Sequence, residues 1–400
     1  MTSNGIRDQV AIVGMGCTPF GERWDRGVDD LLVDATKDTL ASAGVALDDI
    51  DAFWLGTMTS GVSGVTLSRP LKIDYKPVTR VENFCATGSE AFRNACYAVA
   101  SGAYDLVMAI GVEKLKDTGY SGLTGIRPVG DGTDPQLSSP AAFSFLAPAY
   151  ANKYGVDEAA FKDVMSRIAW KNHVNGAVNP RAQFRKEVPL ETIGRAPLIA
   201  GQLGVYDCSG VSDGSAAAIL CRAEDAHRYT DQPLYVKALS FVAGPAAGPI
   251  DPDYDYTSFP EVVRSAEDAY HQAGISDPRT ELAMAEVHDC FTPTELVLME
   301  DLGFAERGLG WKDVLAGAFD RDGDLPVNPD GGLKSFGHPI GASGLRMLFE
   351  CWLQLRGEAP PERQIATVAD GRTLGLTHNL GGAPGECVSF VSIVGSQPSA

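Results

Sequence analysis

Four hundred residues with 52 acidic and 33 basic side chains give a net charge of −19, which argues against nucleic acid or an anionic membrane as a partner. The chain is too long for one ordinary core, and its 44% hydrophobic, 21% charged composition is globular, so two domains or one duplicated unit is expected. No apolar run is long enough to span a membrane, no signal segment opens the chain, and the eight cysteines show no ligand spacing; a reduced, cytoplasmic protein without a bound metal or a disulfide framework is expected.

Residues 9–16 (Gln-Val-Ala-Ile-Val-Gly-Met-Gly) read as a buried strand entering a glycine turn. The turn lacks the lysine and hydroxyl residue of a phosphate loop. A helix is expected over 30–44, with apolar spacing at Leu31, Leu32, Ala35, Leu40 and Ala43 and a closing Gly44. Residues 50–56 form a second buried strand. The stretch 81–90 then places Cys85 between a β-prone approach and a helix running from near Gly88 through Ala100, and residues 106–111 are a further strand. Strands alternating with helices predict a mostly parallel sheet covered on both faces. A thiol at a helix N-terminus meets free N–H groups and the positive end of the macrodipole, which favour thiolate over thiol. Taken alone, a cysteine in that place is more often a packed core residue.

The second half repeats this order. Residues 234–239 resemble the opening strand, and a helix over 262–274 ends Ala273-Gly274-Ile275 as the first ends Ala43-Gly44-Val45. A strand over 282–287 follows. Gly337-His338-Pro339-Ile340-Gly341-Ala342-Ser343-Gly344 then opens a helix as Cys85-Ala86-Thr87-Gly88 does, and Cys85 and His338 each stand three residues before a glycine. The reading is a duplicated fold, residues 1–118 plus 200–231 against 232–400, with two helix N-termini facing each other near a pseudo-twofold axis. Residues 119–199 have no counterpart and are expected to be an inserted, substrate-covering domain. This segment is rich in glycine, proline and aspartate over 122–135 and helical beyond. It carries a basic island, Lys162, Arg167, Lys171, Arg181, Arg185, Lys186 and Arg195 against Asp163, Glu187 and Glu191. A phosphorylated small ligand and a solvated helix face explain that island equally well.

Three motifs can carry chemistry: Cys85, Val287-His288-Asp289-Cys290-Phe291-Thr292, and Gly337-His338-Pro339. In a parallel sheet, strand C-termini and the following helix N-termini share the edge where ligands bind. Each histidine alone is more often structural; three motifs predicted to share one edge are not easily a coincidence.

Cys85 in its Cys-Ala-Thr-Gly-Ser setting, His288-Asp289-Cys290-Phe291, the Gly337–Gly344 motif and His378-Asn379-Leu380-Gly381-Gly382 together resemble the four active-site loops of the thiolase superfamily. The resemblance covers nearly the whole chain, and the His-Asp-Cys-Phe form points to the sterol-carrier-protein-x type and its bacterial and archaeal acetyl-CoA acetyltransferase relatives. It implies an α/β, five-layered αβαβα fold with an inserted loop domain, acyl-CoA thioesters as substrates, no covalently bound cofactor, and a homodimer or dimer of dimers. It also implies roles. Cys85 is the nucleophile and His338 its base; His338 with His288 stabilises one oxyanion, and the backbone N–H groups of Cys85 and Gly381 the other. Forming or breaking a carbon–carbon bond needs a second acid/base.

The chain departs from two-cysteine thiolases here, because Asn379-Leu380-Gly381 stands where they carry Cys-x-Gly. Cys387 sits in an apolar strand pattern and reads as core. Cys290 is then the natural second acid/base, against the plain alternative of a packed cysteine. By resemblance the basic island meets the phosphates of coenzyme A, although no single contact residue can be assigned. The expected activity is thiolase-like acyl-CoA C-acyl transfer. Alternatives are a CoA-ester retro-aldolase of steroid-type side chains working with a small OB-fold acyl-CoA-binding partner, a decarboxylating ketoacyl synthase, and a non-catalytic scaffold subunit. Pro339 sides with the thiolases over the synthases.

Overall fold

The computed structural model describes residues 5–118 and 137–399; the glycine-rich stretch expected over 122–135 lies outside them. Its first strand, β1 (Val10–Cys17), is buried at every position. Helix α1 (Val28–Ala43) follows, with Asp29 and Asp30 in its first turn and Gly44 at φ +66° ending it, as its apolar spacing and closing glycine require. Then come β2 (Ala52–Gly56), β3 (Val78–Val81), α2 (Thr87–Ala100), β4 (Leu106–Glu113), α3 (Glu158–Ala177) and β5 (Gly214–Arg222). The second half has β6 (Leu234–Ala243), α4 (Pro260–Ala273), β7 (Leu282–Glu286), α5 (Thr292–Asp301), α6 (Ile340–Leu355), β8 (Leu374–Ala383) and β9 (Glu386–Gly395).

The nine strands run in the order β3-β2-β4-β5-β1-β6-β9-β8-β7. From the central seam outward, β1-β5-β4-β2 and β6-β9-β8-β7 have the same pairings: antiparallel, antiparallel, parallel. The seam is a short antiparallel contact, Ala11 opposite Tyr235 and Ile12 opposite Leu234. Beyond β7, a single parallel bridge from Ala285 to Val327 stands where β3 flanks β2. The expected mostly parallel sheet is therefore corrected to a mixed one. Strands buried on both faces read alike in either direction, and the tight β8–β9 hairpin through Pro384-Gly385 turns the chain back.

Period-two alternation divides each strand between two cores. Ala11 and Val13 of β1, with Met108, Ile110 and Ile219, pack under α1. Val10 and Ile12, with Val107, Ala109, Ala218 and Leu220, face Phe92 and Ala95 of α2 and Leu345 and Leu348 of α6. On the far side Val262, Ala266 and Ala269 of α4 cover Val391 and Ile393. The stack is α1, half-sheet, α2 with α6, half-sheet, α4: the five layers expected. Phe143, Leu146, Phe161, Val164 and Ile168, from the segment between β4 and β5, join the α4-side core with Leu296 and Val297 of α5. That segment thus packs on the second half of the chain.

The central helices meet through glycine. A Cβ on Gly111 of β4 would overlap the Gly341 carbonyl oxygen, one on Gly341 would lie 2.5 Å from Val112 O and 2.6 Å from Gly56 O, and one on Gly88 would lie 2.7 Å from Gly341 O. No side chain fits between these backbones. The start of α6, from the second half, therefore lies on strands of the first half, within reach of the Cys85 turn. Arg346 of α6, fully buried, pairs with Glu286 at 2.6 Å and with Asp330. This ties the end of β7 and the 330 loop to the same helix; losing one partner of such a buried set leaves an uncompensated charge.

Candidate active site

Cys85 occupies a tight turn immediately before α2. Ala86 N–H donates to Asn83 O at 3.0 Å and Thr87 N–H to Phe84 O at 3.0 Å. Thr87 Oγ1 closes the turn, accepting from Asn83 N at 2.9 Å and donating to Phe84 O at 2.6 Å. Phe84 is held at φ +48°, a conformation strained for an aromatic residue by about 1–3 kcal/mol. The strain turns the next residue, Cys85, back toward the opposite half, where it lies half-buried.

One sulfur and two imidazoles converge there. Donor atoms of Cys85, His288 and His338 all lie within 4.8 Å of one another, and the two histidine rings cross at 77° with centroids 5.4 Å apart. His338 Nδ1 is 2.7 Å from Ser343 Oγ, whose own proton goes to Pro339 O at 3.0 Å. The Ser343 hydroxyl has one proton to give, so His338 donates from Nδ1 and keeps its lone pair on Nε2. His338 Nε2 is buried and has no hydrogen-bond partner among the described residues. The His338 backbone N–H is anchored to Ser212 Oγ at 3.1 Å and Gly210 O at 3.2 Å.

Burial sets the protonation states. It lowers His338 to about 3, with the Arg346 charge adding to the effect. Burial also holds His288 well below the ordinary histidine range, helped by His338, His378 and Arg346. Both imidazoles are neutral near pH 7. Burial pushes the Cys85 thiol up to about 12, and Glu82 and Glu113 push the same way. Burial and the two carboxylates thus act against the thiolate that the helix terminus favours. The resting set is a thiol beside a neutral base. Such a pair stores no thiolate–imidazolium charge.

Cys290 is buried next to His288; its thiol points to Thr294 Oγ1 at 3.8 Å, and burial followed by the nearby Cys85 raises it well above the ordinary range. Gly381 lies against the Cys85 turn: a Cβ there would be 2.5 Å from Asn83 O and 3.2 Å from Phe84 Cβ. All five residues singled out in the sequence, Cys85, His288, Cys290, His338 and Gly381, thus converge on one place.

Sequence reasoning missed the residues that hold them. Asp289 accepts from Leu333 N at 2.6 Å, Lys334 N at 3.2 Å and Asn172 Nδ2 at 2.9 Å, and burial, then Glu295, raises it to about 7. It joins the His288 loop to the His338 loop and to α3. Glu113 accepts from Met58 N and Thr59 N at 2.9 Å, Ser60 N at 3.0 Å and Gly341 N at 3.2 Å. A carboxylate at the end of an apolar strand was the signal for Glu113; Ser343 stood inside a quoted motif without a role. The basic island is dispersed. Lys171 is buried against Glu295 at 2.7 Å, Arg167 pairs with Asp320, and Arg181 donates to Cys17 O at 2.9 Å. Arg195 pairs with Glu191 at 2.9 Å and lines a smaller cavity with Lys162 and Asp207, while Arg185 and Lys186 line a cavity of about 880 Å³ with His173, Phe184 and Tyr206.

One sulfur and two nitrogens also suit a thiophilic divalent ion. A zinc ion would hold such atoms about 3.5 Å apart, inside the 4.8 Å within which these three lie.

Comparison with known proteins bears on the fold and the family. The sequence matches the family description "Thiolase, N-terminal domain" over residues 10–224 and "Thiolase C-terminal domain-like" over residues 249–393. It is 36% identical to an acetyl-CoA acetyltransferase of Methanothermobacter thermautotrophicus, over 95% of this chain and 98% of that one. Human sterol carrier protein 2 is 31% identical, over 93% of this chain and 70% of that protein. A solved structure described as an Ltp2-ChsH2(DUF35) aldolase superposes with a TM-score of 0.80 at 23% identity, covering 99% of this chain and 100% of that one.

Proposed function

Because the chain belongs to the thiolase family, we propose that it is an acyl-CoA C-acyltransferase of the acetyl-CoA acetyltransferase or 3-ketoacyl-CoA thiolase type. It works through an acyl group on Cys85. The observation that carries this reading is the convergence of Cys85, His288 and His338 within 4.8 Å, with the lone pair of His338 held on Nε2 by Ser343.

His338 Nε2 takes the Cys85 proton as the sulfur attacks the thioester carbon. The new carbon–sulfur bond forms, the bond to the coenzyme A sulfur breaks, and the proton passes from His338 to that leaving sulfur. In the second half-reaction Cys290 reacts as its minor thiolate form, its own proton having left to solvent, and takes a proton from the α-carbon of another acyl-CoA. The carbanion attacks the acyl carbon on Cys85, a carbon–carbon bond replaces the carbon–sulfur bond, and the proton held by Cys290 passes to the departing Cys85 sulfur. His288, joined by His338 Nε2 while it carries the transferred proton, and on the other side the N–H groups of Cys85 and Gly381, receive the charge on the carbonyl oxygens. Thiolysis is the same path reversed.

Arg185 and Lys186 in the 880 Å³ cavity support placing the phosphates of coenzyme A there. The eight unpaired cysteines support a reducing, cytoplasmic setting, and a homodimer or dimer of dimers goes with the family. A CoA-ester retro-aldolase with an OB-fold partner is the weaker reading: the aldolase's likeness, at 23% identity, is one of fold alone. A thiol beside a neutral base is machinery that retro-aldol cleavage does not need.

The test is incubation with acetyl-CoA followed by peptide mass mapping. An acetyl group on Cys85, absent from a Cys85→Ala protein, is the expected result. A folded protein that never acquires it would sink the proposal, and full activity in Cys85→Ala would point to the lyase.

A further inference from the structure

Asn379 is completely buried in β8, and its side-chain amide is held in one orientation. Oδ1 accepts a 2.6 Å hydrogen bond from Ser89 Oγ in the first turn of α2. Nδ2, with two protons to give, is buried with no partner among the described residues. Leaving such a donor unmade costs about 1–3 kcal/mol, and native interiors keep few of them without cause.

Its position supplies the cause. Residues two apart on a strand share a face, so Asn379 looks the same way as Gly381, which rests on Asn83 and Phe84. Asn379 itself holds Ser89. The two contacts fall on the residues that flank Cys85, Asn83 and Phe84 before it and Ser89 after it, so Asn379 packs against the turn and the first helical turn that hold the thiol. A Cβ on Gly344 would collide with Ser89 Oγ and lie 3.0 Å from Asn379 Oδ1. The hydroxyl–amide pair is therefore clamped where α2 and α6 meet.

We infer that Asn379 donates from Nδ2 to the negative charge that builds on the Cys85 sulfur as its proton passes to His338. A carboxamide neither takes nor gives a proton near neutral pH, so Asn379 is no second acid/base and leaves that role to Cys290. It is a fixed, uncharged donor. Glu82 and Glu113 both oppose charge on that sulfur, and a donor that does not have to reorganise when charge appears is the counterweight the site needs. The inference rests on the acyl-cysteine reading of the site.

Alkylation by iodoacetamide tests it, because this reads the nucleophilicity of Cys85 without any acyl-CoA. Acetylation by acetyl-CoA in the unaltered protein tests the acyl-cysteine reading separately. In Asn379→Ala, alkylation of Cys85 followed by peptide mass mapping is expected to slow about 10- to 100-fold at fixed pH. Its pH midpoint should move upward, and kcat should fall by a similar factor with KM within twofold. Asn379→Asp, which loses the donor and adds a like charge, should be at least as slow. Unchanged alkylation kinetics in a folded Asn379→Ala protein would overturn the inference. Should that variant not fold, Ser89→Ala carries the test. Freeing Oδ1 lets the amide rotate, and a slowing of Cys85 alkylation by threefold or more supports the inference, whereas an unchanged rate overturns it.

Discussion

Ser343 is the most exposing residue to change, because it decides which nitrogen of His338 is basic. Its hydroxyl spends its only proton on Pro339 O at 3.0 Å, so it can only accept from His338 Nδ1 at 2.7 Å. In Ser343→Ala the Nδ1–H loses that acceptor inside a fully buried site, at a cost of about 1–3 kcal/mol. The ring relieves the cost by moving its proton to Nε2, toward the Cys85 sulfur as a weak acceptor, and so loses the lone pair that faces Cys85. A shift of that size lowers the competent tautomer, and with it the acylation rate, by about 5- to 150-fold. Single-turnover acetylation of Cys85 by acetyl-CoA, sampled by rapid quench and mass spectrometry, reads that step directly. Ser343→Thr keeps an accepting oxygen and should recover most of the rate. Acetylation of a folded Ser343→Ala protein within twofold of the unaltered rate would refute the tautomer argument.

Other expectations follow from the same site. With the Cys85 thiol pushed up to about 12 and His338 lowered to about 3, the free enzyme holds no thiolate–imidazolium pair; iodoacetamide alkylation of Cys85 should therefore climb from pH 6 to pH 10 without levelling off, and a plateau below pH 7 would contradict this. Cys290→Ser should still acetylate Cys85 but lose condensation and the exchange of acetyl-CoA methyl protons into D2O, followed by NMR; retained exchange would leave Cys290 as mere packing. Gly111→Ala sets a methyl group against the Gly341 carbonyl and should destabilise by about 1–3 kcal/mol or more, seen as a lower thermal midpoint together with slower acetylation. An unchanged midpoint would mean that α6 can slide away from β4 freely.

Much of the architecture was legible because it is written in local signals. Uniformly apolar strands such as Val10–Cys17 and Leu106–Glu113, helices closed by Gly44 and Gly274, and the recurrence of strand, helix, strand in both halves needed no tertiary knowledge. Strand direction was not legible. A strand buried on both faces has the same composition whether its neighbour runs parallel or antiparallel, so the alternation of strands and helices pointed to a mostly parallel sheet where the fold is mixed. The basic island was legible as charge but not as use. Lys171 and Arg181 are held by partners at distant positions in the chain, Glu295 and Cys17.

The sequence by itself singled out the candidate groups: two thiols, Cys85 and Cys290, and two imidazoles, His288 and His338, each in a short motif with its own turn chemistry. Only the tertiary structure decided their states and the order of their work. Whether Cys85 rests as thiol or thiolate depends on how much water is excluded and on where Glu82 and Glu113 stand. Which nitrogen of His338 is basic depends on a hydroxyl one helical turn away. Whether Asn379 is filler or donor depends on Ser89, 290 positions earlier in the chain. Those are Coulomb and desolvation effects between groups brought together by folding, and no local pattern of residues encodes them.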